Sequence, residues 1–204
     1  MMQVLGPFAG VEADVERIRP FMQKGFPWHV PERINAPMRT AQDWWNALLP
    51  LFEEAFVSCK LSQNQARDLA AMVRFVYTDI ADWRLYEDTK EVLSDLLEGG
   101  WKHAILSNHV PELPSLVEGL GLGSLIACIV NSADTGFEKP HPHAFRAALR
   151  ALGDPHEVWM IGDSVDADVL GAEAVGLRAI LVRGEDVRAR RRAQGLRDVR
   201  KFLG

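Results

Sequence analysis

The eleven residues Val158-Trp159-Met160-Ile161-Gly162-Asp163-Ser164-Val165-Asp166-Ala167-Asp168 constrain the fold more than any other stretch of the chain. An apolar run that stops at a glycine reads as a strand of a parallel sheet covered on both faces. The segment after it, Val169 to Val175 closed by Gly176, reads as a short helix with a glycine C-cap. The carboxylates between them therefore sit on a strand-to-helix loop. In an open α/β sheet such loops form the carboxyl edge, where ligands bind.

The chain has 204 residues, 48% of them apolar, enough for one large α/β domain or a core carrying a smaller inserted one. No run of eighteen apolar residues occurs, and Met1 to Gly10 lacks the basic start and long apolar stretch of a signal peptide, so a soluble, cytoplasmic protein with no membrane partner is expected. Cys59 and Cys128 are too few and too far apart for a disulfide framework or a zinc site, and read as small buried hydrophobes. The net charge of −5 is uneven: residues 183 to 204 hold eight Lys and Arg against three acids. Arg190-Arg191-Arg192 has no aromatic interleaving, so a solvated helix is expected there and no nucleic-acid partner.

Periodicity changes near Asp82. Before it, helical patterns dominate, with Pro20, Pro27, Pro31 and Pro37 at joints. One helix begins after Thr40 and carries Trp44, Leu48, Leu51, Phe52, Ala55 and Phe56. Another begins at Ser62, whose partner Gln65 completes a capping box, and repeats Ala66, Leu69, Ala70, Val73, Tyr77 and Ile80 on one face. After Asp82, helices expected over Thr89 to Leu97, Leu113 to Leu120 and Pro142 to Leu152 alternate with strands His103 to Leu106, Ile126 to Val130, Val158 to Ile161 and Ala179 to Val182. That alternation implies right-handed crossovers and a mostly parallel sheet. Residues 1–82 are read as a helical region and 83–204 as an α/β core.

Polar groups gather at the strand ends: Ser107-Asn108, then Glu138-Lys139-Pro140, then Asp163 with Asp168. Taken singly, each has a purely structural reading: Ser107 as a helix cap, Lys139 as a surface lysine, the two acids as helix-start carboxylates favoured by the dipole. Together they bring a hydroxyl, an ammonium and two carboxylates to one sheet edge. Oxygen-only carboxylate chemistry suits Mg²⁺, and a hydroxyl with a fixed lysine suits a phosphoryl group whose charge grows in the transition state. Two adjacent acids with no cation would repel each other and raise one pKa. No P-loop competes, and Gly119-Leu120-Gly121-Leu122-Gly123 lacks dinucleotide-loop spacing.

These residues resemble the haloacid dehalogenase (HAD) superfamily. Its second motif, a strand ending in Ser or Thr, is similar to Ile105-Leu106-Ser107-Asn108; its third, a lysine often before proline, to Glu138-Lys139-Pro140; its fourth, G-D-x-x-x-x-D, to Gly162, Asp163 and Asp168. The resemblance implies a Rossmannoid parallel sheet with helices on both faces plus an inserted α-helical cap. It implies that Ser107 and Asn108 bind the phosphoryl substrate, that Lys139 is catalytic, and that Asp163 and Asp168 bind or support Mg²⁺. Asp166 has no matching role and is expected to face solvent.

The first motif of that family, an apolar strand ending in D-x-D-x-[TV] that supplies the aspartate nucleophile and the acid/base, has no counterpart here. Val4, Leu5 and Phe8 are followed by no such pair, Asp14 lies in a polar helical pattern, and Met1 to Leu5 reads as the last turns of a helix. In that family the first strand is the centre of the sheet, between the strands ending at Ser107 and Ile161. Without it, the two flanking strands pair directly, another segment fills the slot, or the chain forms a homodimer there, since unpaired edges are costly to leave. A start downstream of the true one, or a truncated gene, is expected. The resemblance implies a Mg²⁺-dependent phosphatase of small phosphorylated metabolites, working through an aspartyl-phosphate in a longer polypeptide, with residues 1–204 inactive. The alternatives are a non-catalytic or truncated binding module and, third, a haloacid dehalogenase. Trp28-His29 reads as a packed turn, Trp44-Trp45 and Trp101 as core or cap packing, and His109 as either a substrate contact or a helix start. His141 and His143 lack a third ligand for zinc.

Overall fold

The computed structural model describes residues 15–30 and 40–203. The expectations placed on Val4, Leu5, Phe8, Asp14, the helix turns of Met1 to Leu5, and the joints at Pro31 and Pro37 lie outside the described residues. The described chain forms two compact units, 15–30 with 40–84, and 85–203.

In the first unit, α1 (Val15–Met22), α2 (Ala41–Ser58) and α3 (Gln63–Thr78) pack on one another. Thr40 caps α2, its Oγ1 accepting from Asp43 N–H while Asp43 Oδ2 accepts from Thr40 N–H, each at 3.1 Å. Ser62 and Gln65 do the same for α3. Each exchange satisfies orphan amides of a first turn, which is why both helices start where the sequence indicates. The buried faces are Trp44, Trp45, Leu48, Phe52, Ala55 and Phe56 on α2, and Ala66, Ala70, Val73 and Val76 on α3. Trp28 stacks on Phe26 at 4.5 Å and on Trp44 at 6.4 Å, so Trp28-His29 is a packed turn. Ile80, expected on the buried face, lies past the end of α3 and is exposed.

In the second unit, α4 (Thr89–Glu98), β1 (Ala104–Ser107), α5 (Leu113–Gly119), β2 (Cys128–Asn131), α6 (Ser132–Thr135), α7 (Pro142–Ala151), β3 (Trp159–Gly162), α8 (Gly171–Ala174), β4 (Arg178–Val182), β5 (Arg192–Ala193) and α9 (Arg200–Leu203) follow in order. Every strand pair is parallel, and among the described residues the strands form two ladders, β1-β2 and β3-β4-β5. The register sets Ser107 beside Asn131 and Gly162 beside Leu181. β4 is buried on both faces: Ala179 and Leu181 join Phe145, Val169 and Ala172, while Ile180 and Val182 join Ala193 and Val199. This period-2 division is what a strand between two helical layers requires.

β1 and β3 differ. Every residue of both strands is only half-buried. Both line a cavity of about 890 Å³, as do Val92 and Leu96 of α4, Leu149 of α7 and Val199. The two strands do not pair with each other, so of the three outcomes expected for the slot, direct pairing does not occur.

Three local expectations are corrected. The short helix after Gly162 begins at Val165, not Val169, and is π-wound over Val165–Leu170 before α8. Arg190-Arg191-Arg192 is not helical: Arg192 enters β5, where Leu181 N–H donates to Arg191 C=O at 2.9 Å and Arg183 N–H to Ala193 C=O at 3.0 Å. Cys59 and Cys128 are half-buried rather than buried. No helix among the described residues is long and apolar enough to cross a membrane.

Candidate active site

The carboxyl ends of β1 and β3 are joined by a chain of hydrogen bonds. Asn108, just past β1, uses its carboxamide twice on Lys139: Oδ1 accepts from Lys139 N–H at 2.7 Å, and Nδ2 donates to Lys139 C=O at 2.9 Å. Lys139 Nζ donates to Asp168 Oδ1 at 2.6 Å. Asp168 Oδ2 accepts from Ser164 N–H at 3.0 Å, two residues beyond β3. The three segments carrying Ser107, Lys139, and Asp163 with Asp168 thus meet at one edge.

Sequence spacing explains the approach. The π-wound turn sets Asp168 back over the end of β3, so close that a Cβ on Gly162 would lie 2.2 Å from Asp168 Oδ2 and 2.6 Å from Asp168 Cβ. Gly171 serves the same purpose further along the connection, where a Cβ would lie 2.8 Å from Pro140 Cβ and 2.9 Å from Phe145 Cζ. Gly162 therefore lets Asp168 fold back on the end of β3, and Gly171 lets the start of α8 press against Pro140. Ser164 caps the π turn, its Oγ accepting from Ala167 N–H at 3.1 Å.

The acids of this loop divide into three roles. Asp168 is 5% exposed and ion-paired with Lys139, itself 11% exposed. Asp166 faces solvent, as expected, and pairs with Arg188, which is also held by Asp186. Asp163 is exposed and has no hydrogen-bond or ion-pair partner among the described residues. Lys139 supplies a compensating charge for Asp168, its Nζ 2.6 Å from Oδ1. Each Asp168 oxygen accepts one hydrogen bond, and Asp163 is the carboxylate of this loop without one among the described residues. No group of three or more His, Cys, Asp or Glu capable of holding a metal occurs among the described residues. Mg²⁺ is commonly held by one or two carboxylates together with several waters, so Asp163, exposed at this edge, offers one such ligand and a second carboxylate would complete the set.

Two polar residues beside this edge, Asn131 and Ser132, escaped the sequence reading, and Glu138, read there only as the neighbour of Lys139, is given no role by it. Asn131 and Ser132, at the end of β2, are buried, as is Glu138 at 2% exposure. Asn131 Nδ2 donates to Val110 C=O at 2.7 Å, and His109 N–H donates to Ser132 Oγ at 3.2 Å. Burial pushes the Glu138 carboxyl up to about 7 from its ordinary 4.5, against the opposing pull of its Ser132 hydrogen bond and the Lys139 charge. Glu138 Oε2 has no hydrogen-bond partner among the described residues. Burial likewise pushes the His109 imidazole below its ordinary 6.5. Phe137 stacks on His141 at 4.9 Å and on His143 at 4.7 Å, so these histidines form a ring stack at the start of α7. The signal for Asn131 and Ser132 is polar residues closing an apolar run, Val130-Asn131-Ser132, too common a pattern to single out.

The chain is similar to known proteins. A haloacid dehalogenase-like hydrolase family model matches residues 8–176. The bovine (Bos taurus) haloacid dehalogenase-like hydrolase domain-containing protein 3 is 31% identical over 151 residues, 72% of this chain and 58% of that protein. A phosphoserine phosphatase from Thermus thermophilus is 33% identical over 134 residues, 65% of this chain and 53% of that protein. The chain thus spans little more than half the length of these relatives. Among solved structures, the HAD-hydrolase YfnB of Bacillus subtilis, bound to magnesium, superposes with a TM-score of 0.68 at 17% identity, covering 98% of this chain and 88% of that one, a likeness of fold alone. With a family match extending over most of its length, the chain belongs to the haloacid dehalogenase-like hydrolases.

Proposed function

We propose that the chain carries most of a phosphomonoester hydrolase core for a small phosphorylated molecule, and that turnover requires a carboxylate nucleophile delivered by a strand seated between β1 and β3. The observation that carries this reading is the bonded chain Asn108–Lys139–Asp168–Ser164, which joins the carboxyl ends of two half-buried strands that line one cavity and are unpaired with each other among the described residues. A phosphatase among the relatives supports the reaction class.

In this reading the Ser107 hydroxyl, with the neighbouring backbone amides, holds a phosphoryl oxygen. The Lys139 ammonium, fixed by Asp168, neutralises the charge that grows on that group, which is where a preorganised cation lowers a barrier most. Asp163 is exposed at the same edge. A Mg²⁺ ion would need further carboxylate from outside the described residues, which a nucleophile-bearing strand provides.

The test is a gain of function. An apolar strand ending in Asp-x-Asp is fused to the N-terminus through a flexible linker, and hydrolysis of p-nitrophenyl phosphate is followed with and without Mg²⁺. Turnover that needs both the strand and Lys139 is expected. Failure to turn over although hydrogen exchange shows the β1 and β3 edges protected would overturn the reading.

A further inference from the structure

Asn108 follows the serine expected to hold substrate, and by position was expected to share that task. We infer that Asn108 is instead a positioning residue, whose carboxamide grips the Lys139 main chain and so fixes where the Lys139 ammonium can reach. A carboxamide reproduces the donor and acceptor of a peptide unit. Here it meets both backbone groups of one residue, accepting at 2.7 Å and donating at 2.9 Å, as a neighbouring strand would. Lys139 lies in a loop between α6 and α7, outside either strand ladder, so its backbone groups need partners from elsewhere. Pinning the main chain at that one residue leaves the flexible lysine stem to span a defined gap to Asp168 Oδ1.

Other bonds hold the surrounding loops, which separates this role from a purely structural one. Asn131 Nδ2 on Val110 C=O and His109 N–H on Ser132 Oγ tie the β1 exit to the β2 exit independently of Asn108. Loss of the Asn108 carboxamide therefore releases Lys139 while those ties remain. The inference rests on Lys139 being the working ammonium of the proposed reaction, but its test uses no substrate, so a failed phosphatase reading and a failed clamp are distinguishable.

The chain has six lysines, few enough for each ε-ammonium to be followed by NMR in ¹⁵N-lysine-labelled protein, with the Lys139 signal assigned by Lys139→Arg. In the unaltered protein the Lys139 ammonium exchanges its hydrogens more slowly than that of exposed Lys201. In Asn108→Leu, which keeps volume and removes both bonds, that exchange speeds up by roughly ten- to hundredfold, the population change that two ordinary hydrogen bonds control. The β1 and β2 amide signals stay in place. Asn108→Ser, too short to reach both groups, gives the same direction should the leucine variant fold poorly. Unchanged Lys139 exchange in a folded variant overturns the inference. Loss of dispersed amide signals in both variants overturns it too, because Asn108 then holds the fold and not the lysine.

Discussion

Lys139 Nζ and Asp168 Oδ1 lie 2.6 Å apart, with 11% and 5% of their side chains exposed, and the pair joins the α6–α7 loop to the β3–α8 connection. Two charges held this far from water stabilise each other only as a pair. Removing one partner leaves the other buried and uncompensated.

Asp168→Ala is therefore expected to lower stability by about 3–5 kcal/mol, the usual cost of breaking a buried ion pair from one side. Lys139→Met should cost less, because its replacement is apolar and Asp168 keeps the Ser164 N–H. Urea unfolding measures both, and a change below about 1 kcal/mol for Asp168→Ala, the range of a solvent-exposed pair, would contradict the burial.

Gly162→Ala drives a methyl into the Asp168 carboxylate, 2.2 Å from Oδ2. A loss of about 1–3 kcal/mol is expected, as for other overpacked sites. Gly176→Ala is the contrast: its φ is +84° and nothing lies within 4 Å of the added methyl. Its cost is the left-handed backbone alone, about 1–2 kcal/mol. Thermal unfolding with an amide spectrum of Ser164 separates the two, since only the first variant disturbs the Ser164 N–H bond to Asp168.

Glu138 predicts a pH dependence. Its folded pKa of about 7 lies above the ordinary 4.5, so the native state holds the proton more tightly than the unfolded chain. The stability this contributes is fully present below pH 4.5, falls as pH rises to about 7 and is lost above it. The span is about 3 kcal/mol at most. Glu138→Gln, which keeps shape without titrating, should flatten that slope. An identical slope in the variant would show that Glu138 is not its source.

Much of this core is legible in the sequence because the strands are apolar runs that stop at Ser107, Asn131 and Gly162, and each of these strands, like β4, lies within two residues of its expected bounds. β5 is not legible. Arg192-Ala193 is two residues long and carries no apolar run, and its place comes from ladder bonds to β4. The π winding of Val165–Leu170 is set by Asp168 folding back on Gly162, a tertiary contact with no local signature. Ser107, Lys139 and Asp168 are legible as a set through their order along the chain. The partners that fix them are not, because Asn108 and Asn131 acquire their roles only from neighbours 21 to 31 residues away.

The slot left between β1 and β3 by the described residues has its own signature. The slot-facing amides of β1 and β3 should exchange about a hundredfold faster than those of Ile180 and Leu181 in β4, which are bonded within a covered ladder. Native-state hydrogen exchange reads this directly. Equal protection across all four strands in dilute protein would mean that the slot is filled, and a concentration-dependent rise would point to a second copy of the chain.

If residues 1–204 hold a phosphoryl-transfer site without its nucleophile, the purified 204-residue chain binds but does not turn over. A hydrolysis assay on p-nitrophenyl phosphate with Mg²⁺, run beside Asp163→Asn, decides this. No hydrolysis above the uncatalysed rate is expected from either protein. Hydrolysis by the unaltered chain that Asp163→Asn abolishes would contradict it.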